Sequence, residues 1–300
     1  MTAPGLADFT EVPERLREAL AAAGLDPRRL YDDVVAAVVE DLPGEDVTSV
    51  ATIDPGARAT ARLVARADGV VAGLAVAELV LAVVAPDAET DPVVADGSHV
   101  TRGDVLLTVH GPVRRLLTAE RTALNYLCHV SGVATATARW VEALDGTSAR
   151  VRDTRKTTPH FRALEKYAVR CGGGTNHRGS LSDQALVKDN PVLAAGGVVP
   201  AYRAVRERYP DLAVQVEVTT LDQLRELLDA GCDSILLDNM GTDQMAEAVR
   251  VTDGRARLEA SGGLTLDRAR EVAATGVDFI AVGAITHSAP VLAVAMDLVP

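Results

Sequence analysis

Residues 212–263, LAVQVEVTTLDQLRELLDAGCDSILLDNMGTDQMAEAVRVTDGRARLEASGG, repeat one pattern. Short apolar runs at 212–218, 233–239 and 256–261 read as buried strands, separated by helical periodicity over 221–229 and 242–251. Thr220 and Thr242 stand where N-caps belong. Strand and helix in strict alternation specify a parallel sheet, because parallel neighbours need a long crossover. Glu217, Asp238 and Glu259 end successive strands at intervals of 21 residues. That even spacing predicts three carboxylates on one rim. Working outward, 149–154, 184–189 and 278–283 supply three more strands, and 265–274 a further helix capped by Thr265. Six such strands read better as a barrel than as an open sheet, with a site at their C-terminal ends. No GxGxxG follows a first strand, which argues against a dinucleotide-binding sheet.

Upstream the pattern is different. Two amphipathic helices are predicted over about 12–24 and 28–40, followed by a polar turn, EDLPGEDVTS. Alternating runs at 57–73 and 96–111 flank a helix at 72–85 and read as a small sheet carrying a helix. The second run is similar to the hairpins of lipoyl- or biotinyl-carrier domains. No lysine precedes Lys156, however, so nothing is available for such a group to attach to. Helices at about 113–128 and 132–144 lead into the strand–helix region.

Composition narrows the function. Of 300 residues, 48% are hydrophobic but only 3% aromatic, so the core is built from Ala, Val and Leu. No apolar run is long enough to span a membrane, and the N-terminus lacks a basic segment followed by an apolar one. The expectation is a cytoplasmic chain. Three scattered cysteines suggest neither a disulfide framework nor a zinc site. A net charge of −12 with few aromatics argues against nucleic acid as a partner.

Against that acidic background, the lysines are informative. Only three of the thirty basic side chains are lysines, Lys156, Lys166 and Lys188, all within 33 residues. Between Arg152 and Lys188, eight Lys/Arg face three Asp/Glu. A cationic island in an anionic protein is a candidate site for an anionic small molecule. Within it, GGGTNHRG (172–179) sets three glycines before His177 and Arg178. The glycines serve either to end a helix or to let the backbone approach an anion. Arg155 and Lys156 follow the first strand, and Lys188 ends the second. A Schiff-base role for Lys188 would need a depressed pKa, and the surrounding cations favour charge neutralisation instead. Arg121 falls on the apolar stripe of its helix with Leu117, Leu124 and Cys128. It therefore requires either a structural partner or an anion. Glycine-bearing loops at 259–263 and 282–288 offer backbone N–H groups suited to phosphate.

The strings ERTALNYL, DTRKTTPHFRALEKYAVRCGGGTNHRGSLSDQALVKDN, VEVTT, ILLDNM, EASGG and VGAITHS resemble the quinolinate phosphoribosyltransferases, over about residues 40–290. The resemblance implies an α/β protein with an N-terminal α/β sandwich domain and an open, incomplete parallel β/α barrel. The sandwich takes residues 1–130, completed by 286–300, and the barrel 131–285. It implies conversion of quinolinate and phosphoribosyl pyrophosphate to nicotinate mononucleotide, pyrophosphate and CO2 in NAD biosynthesis, with Mg²⁺, by a homodimer. By the same resemblance, Arg121, Arg155, His177, Arg178 and Lys188 bind the quinolinate carboxylates, Arg121 reaching in from the partner subunit. Lys156, Glu217 and Asp238 are catalytic on the phosphoribosyl side, and Glu217 and Asp238 hold Mg²⁺ through substrate or water. Thr154, Ser261, Gly262, Gly263, Val282, Gly283 and Ala284 bind the phosphoribosyl pyrophosphate.

The chemistry of the residues agrees. A dianion needs several fixed cations, preferably arginine forks. Two carboxylates can stabilise an oxocarbenium-like centre, and no covalent nucleophile is needed. Two alternatives are a paralogous phosphoribosyltransferase acting on another base and a silent binding protein on the same scaffold. Retention of all five carboxylate-directed residues speaks against the first, and of Lys156, Glu217 and Asp238 against the second.

Overall fold

The computed structural model describes residues 5–299, which fall into two compact units. One comprises the chain up to Ala136, Ala163–Gly172 and the chain from Ala289 on; the other comprises Thr137–Arg162 and Gly173–Ser288.

The first unit opens with α1 (Glu14–Ala22) and α2 (Pro27–Asp41). Asp26 caps α2 by accepting from Arg28 N and Arg29 N, with Pro27 pre-set for the first helical position. The stretch read as a polar turn ends in a third helix, α3 (Val47–Thr52), because the Asp46 carboxylate accepts from Ser49 N at 3.0 Å. Next come β1 (Arg58–Ala65), β2 (Gly69–Val70), α4 (Leu74–Val84), β3 (Glu89–Pro92), β4 (His99–Val100) and β5 (Val105–Pro112). α4 is apolar almost all round and nearly all of it is buried, with α1 and α2 against it. Its one charge, Glu78, is buried and accepts from Arg15 at 2.9 Å and Thr90 Oγ1 at 2.6 Å. Its N-terminus is capped from a distance, Gly73 N and Leu74 N donating to the Asp96 carboxylate at 2.8 and 3.1 Å.

The two helices predicted over 113–144 are one continuous helix, α5 (Val113–Ala143). Gly132 does not break it. A Cβ there would collide with the Pro290 carbonyl oxygen and sit 2.8 Å from Val291 Cα, so this glycine exists for close packing. Arg121 is exposed rather than on the buried stripe, which runs instead through Leu116, Ala119, Ala123, Leu127 and Val130.

The second unit follows the predicted alternation. Its elements are β6 (Arg150–Arg152), β7 (Ala185–Val187), α7 (Asp189–Ala195), α8 (Val198–Arg208), β8 (Val214–Val218), α9 (Leu221–Asp229), β9 (Ser234–Asp238), α10 (Thr242–Thr252), β10 (Arg257–Ser261), α11 (Ala269–Ala273), β11 (Phe279–Ala281) and α12 (Ala284–His287). α6 (Arg162–Cys171), which links β6 to β7, belongs from Ala163 on to the first unit. There Tyr167 OH donates to Asp96 at 2.7 Å. Thr220 caps α9 by accepting from Gln223 N. Thr242 does not cap α10, where Gly241 takes that position and the Thr242 hydroxyl donates to Glu271 instead. Thr265 stands at the N-cap position of a short 3₁₀ turn without a side-chain bond.

All six strands are parallel, in the order β6-β11-β10-β9-β8-β7. A closed barrel would also pair β6 with β7. That pairing is missing and the sheet stays open. Along the free edge of β6, Thr175 makes a single parallel bridge to Arg152. The segment carrying His177 and Arg178 thus starts where a closing strand would stand. The chain returns to the first unit as β12 (Val294–Val299), antiparallel to β1 in a sheet ordered β12-β1-β5-β3. Among the described residues, no helix is long and apolar enough to cross a membrane.

Candidate active site

A cavity of about 290 Å³ opens at the C-terminal ends of the parallel strands. Thr154, Arg155, Lys156, His177, Arg178, Lys188 and Ser261 all line it, together with the apolar Leu186, Leu236 and Ala281. Seven of the predicted residues, scattered over more than a hundred positions, are therefore brought to one concavity. Arg121 lies in the first unit and does not line it.

The cationic wall comes from two loops. Arg178 Nη1 donates to Gln184 O at 3.0 Å. Burial first, and then the neighbouring Arg155, push the Arg178 guanidinium below its ordinary pKa. Arg155 Nε is buried with no hydrogen-bond partner. Two adjacent guanidiniums, one holding a buried unused N–H, form a site that an anion would satisfy. Arg162, absent from the sequence-derived set, ties the loops together. It donates to Thr157 Oγ1 at 3.0 Å, Gly179 O at 3.0 Å and Arg155 O at 3.3 Å. Its signal in the sequence was only that it belongs to the same cationic island.

The floor lies deeper. Asp153, fully buried after β6, accepts from His177 N at 2.8 Å and Asn176 Nδ2 at 2.6 Å. The His177 ring faces Gln215 Oε1 at 2.8 Å and Glu259 Oε1 at 3.5 Å. Glu259 therefore does not stand on the rim as predicted. It is 1% exposed and accepts from Arg152 at 2.9 Å, whose guanidinium lies over the Phe279 ring. Register separates only Asp238 from the other two; Glu259 is buried against Arg152 and His177, whereas Glu217 at the same height meets Lys188. Glu217 and Glu259 both pair with Leu236, whereas Asp238 pairs with Ser261, two residues nearer the strand ends. Equal spacing along the chain does not give equal height.

On the other side, Lys188 Nζ lies 2.9 Å from Glu217 Oε2. Asp238 accepts from the side chain of Asn239, whose backbone is left-handed (φ 54°). Gly262 packs onto Asn239 so closely that a Cβ would strike Asn239 Oδ1, and its φ of 98° also favours glycine. Gly263 has open space around it. Gly283 lies under Lys156, its hypothetical Cβ 3.0 Å from Lys156 Cδ, and Thr286 Oγ1 donates to Lys156 O at 2.7 Å. Val282 and Ala284 flank that glycine, Val282 N donating to Arg152 O at 2.9 Å and Ala284 opening α12. The glycine loops thus follow β10 and β11, next to the lysine.

Among the described residues, no group of three or more His, Cys, Asp or Glu could hold a metal unaided. Glu217 and Asp238, on neighbouring strands, are hard oxygen donors of the kind Mg²⁺ takes one or two at a time beside substrate phosphates.

Comparison with known proteins agrees across nearly the whole chain. Residues 46–131 match the family model for the N-terminal domain of quinolinate phosphoribosyl transferase, and residues 133–297 match that for its C-terminal domain. A nicotinate-nucleotide pyrophosphorylase (carboxylating) of Mycobacterium leprae is 50% identical over 273 residues, covering 89% of this chain and 96% of that protein. A probable nicotinate-nucleotide pyrophosphorylase (carboxylating) of Bacillus subtilis is 37% identical, covering 87% and 90%. Among solved structures, NadC from Streptococcus pyogenes superposes with a TM-score of 0.88 at 39% identity, covering 92% of this chain and 99% of that one. The nicotinate-nucleotide pyrophosphorylase from Francisella tularensis gives 0.87 at 33% identity, covering 91% and 96%.

Proposed function

The chain belongs to the quinolinate phosphoribosyltransferase family, and from that premise we propose that it joins quinolinate to phosphoribosyl pyrophosphate, releasing nicotinate mononucleotide, pyrophosphate and CO2. The single observation carrying this reading is the Arg155–Arg178 pair, two half-buried neighbouring cations facing a small cavity, with Lys156 and Lys188 on its walls. Adjacent carboxylates on a planar ring match adjacent guanidinium forks.

Arg155, Arg178 and Lys188 bind and orient the dicarboxylate, with His177 beneath them. The glycine turns at Gly262, Gly263 and Gly283 leave room for backbone N–H groups to approach the 5′-phosphate, beside Thr154, Ser261, Val282 and Ala284. Lys156 reaches over Gly283 toward the phosphoribosyl side. As pyrophosphate leaves the anomeric carbon and the pyridine nitrogen bonds to it, positive charge develops on the ribose. Glu217 and Asp238 stabilise that charge electrostatically and position the ribose. The bond from the ring to the carboxylate beside the quaternised nitrogen then breaks. Its electron pair stays on the ring carbon, stabilised by the positive nitrogen, CO2 departs, and a proton takes its place. Position and field suffice for these steps. Mg²⁺, when bound with the pyrophosphate, neutralises the leaving group, and Glu217 and Asp238 are the residues that would hold it.

Arg121 is exposed on α5, as a residue completing a partner's site in a homodimer needs to be. The net charge of −12 supports small-molecule chemistry rather than nucleic-acid binding, and the expected place for it is the cytoplasm. The test is direct: purified protein with quinolinate, phosphoribosyl pyrophosphate and Mg²⁺ forms nicotinate mononucleotide and CO2 in equal amounts. Absence of both products rejects the reading.

A further inference from the structure

Glu259 poses a problem that the proposed reaction does not solve. A buried carboxylate lining a cavity built for anions opposes the substrate unless it serves another group. Its Oε2 is taken by Arg152 at 2.9 Å, while Oε1 is buried without a hydrogen bond. His177 Nε2 lies 3.5 Å from that oxygen.

His177 decides how this arrangement is used. Arg178 N lies 2.7 Å from His177 Nδ1. A backbone N–H can only donate, so Nδ1 is the acceptor and carries no proton. The ring proton is then on Nε2, where Gln215 Oε1 accepts it at 2.8 Å. The negative charge of Glu259 beside Nε2 favours the proton on that nitrogen. Gln215 and Glu259 are both about 1% exposed, on β8 and β10, so neither acceptor can be replaced by water. Asp153, after β6, fixes the His177 main chain. Two strands thus meet at one imidazole, and the residue after a third holds its main chain.

We infer that Glu259 and Gln215 are positioning residues. By fixing His177 as its Nε2–H tautomer they keep Nδ1 available to hold the Arg178 main chain, and so aim the Arg178 guanidinium into the carboxylate pocket. This rests on the proposed quinolinate reading for its substrate, but not for its geometry. The same logic recurs at metal sites, where an outer partner sets which imidazole nitrogen is free.

The test has two readouts. In ¹⁵N-labelled full-length protein near pH 7.5, the His177 imidazole, assigned by its loss in His177→Asn, should show the shift pattern of the Nε2–H tautomer. Glu259→Gln and Gln215→Met should each shift His177 toward a mixture of tautomers. Each should also raise the KM for quinolinate on the order of tenfold, leaving kcat and the KM for phosphoribosyl pyrophosphate within about threefold. If the wild type shows the Nδ1–H tautomer or the imidazolium, the inference is overturned. It is equally overturned if the tautomer shifts while the KM for quinolinate stays within about twofold. Should Glu259→Gln lose its cooperative thermal transition, Gln215→Met and the wild-type spectrum decide the matter. A wild type that neither binds nor consumes quinolinate overturns the proposed function, while the spectrum still judges the positioning of His177.

Discussion

Lys188 Nζ and Glu217 Oε2 meet at 2.9 Å, joining the end of β7 to the neighbouring strand β8. A cation assigned to one substrate and an acid assigned to the other thus form an ion pair. Glu217→Gln and Asp238→Asn should therefore separate binding from chemistry. Both should lower kcat by about 10²-fold or more, since their work is at the ribose. Quinolinate affinity, measured by titration, should be unchanged or slightly tighter in Glu217→Gln, where Lys188 loses its partner. Loss of quinolinate binding with kcat retained would reverse the two role assignments.

The cationic wall should also discriminate between acids. Nicotinate carries one carboxylate and leaves part of the Arg155–Arg178 pair unmatched. Its kcat/KM should fall below that of quinolinate by roughly 10²-fold or more. Competition between the two acids in one reaction mixture, followed by chromatography of the products, measures the ratio. Comparable turnover would count against the dicarboxylate pocket.

Gly262 should tolerate no side chain. In Gly262→Ala the new methyl meets Asn239 Oδ1 and lies 2.9 Å from Asn239 N, next to Asp238, on a backbone with φ of 98°. Asp238 must then shift, and kcat/KM for phosphoribosyl pyrophosphate should fall on the order of 10²-fold. Gly263→Ala meets no neighbour within 4 Å, so its milder effect reflects only its φ of 59°. Equal losses in the two variants would show that the Asn239 contact does not matter.

Arg121 calls for a different measurement. Arg121→Ala should fold but lose activity by ~2–4 kcal/mol of substrate stabilisation if the residue reaches a partner's site. Mixed with inactive Lys156→Ala, it should regain activity after subunit exchange, because one site of each mixed dimer is intact. Exchange verified by mass spectrometry without recovery of activity would place Arg121 outside the partner's site.

Asp96 predicts a pH effect on stability. Burial, opposed by bonds from Tyr167 OH, Gly73 N and Leu74 N, raises its carboxyl above the ordinary 3.8. A raised carboxyl means that the native state binds the proton more tightly than the unfolded chain. Its contribution is complete below about pH 3.8 and is lost as pH rises through the folded value. The stability of the wild type relative to Asp96→Asn, from urea melts, should fall across that window and then level off. Tyr167→Phe should cost about 1 kcal/mol at neutral pH, since it removes one bond to Asp96 Oδ2 while Gly73 N keeps the other.

The parallel strands were legible because each is a short apolar run bounded by helix caps and turn residues. The grouping of cations around one cavity was legible because lysine is rare here and clusters, and Lys156 and Lys188 both line it. Height along the strands was not. Glu217, Asp238 and Glu259 look equivalent in the chain, but the pairing sets Asp238 two residues nearer the strand ends, and of the two at equal height only Glu259 is closed in by Arg152 and His177. The gap expected between helices at 113–128 and 132–144 does not exist, and Gly132 inside the continuous helix admits Pro290, which lies more than 150 residues away in the chain. Arg121 was misplaced because Leu117 and Leu124 suggested an apolar stripe that does not pass through it. Arg162, Gln215 and Asp153 carried no signal of their own, since their partners are set by loop and barrel geometry.

The pairing of β12 with β1, and of Tyr167 with Asp96, also bears on how the protein is made. Severing the chain at residue 132, between the two family models, would leave an N-terminal fragment with an unprotected β1 edge and Asp96 without its tyrosine. Such a fragment should aggregate rather than behave as a domain. On the ribosome the order is inverted with respect to the sequence. The first unit begins to emerge early but lacks β12 until Val294–Val299 leave the tunnel, whereas the parallel sheet is fully synthesised before them. The unit whose residues are made first is therefore completed after the other, and its waiting β1 edge is where a holding chaperone would be needed most.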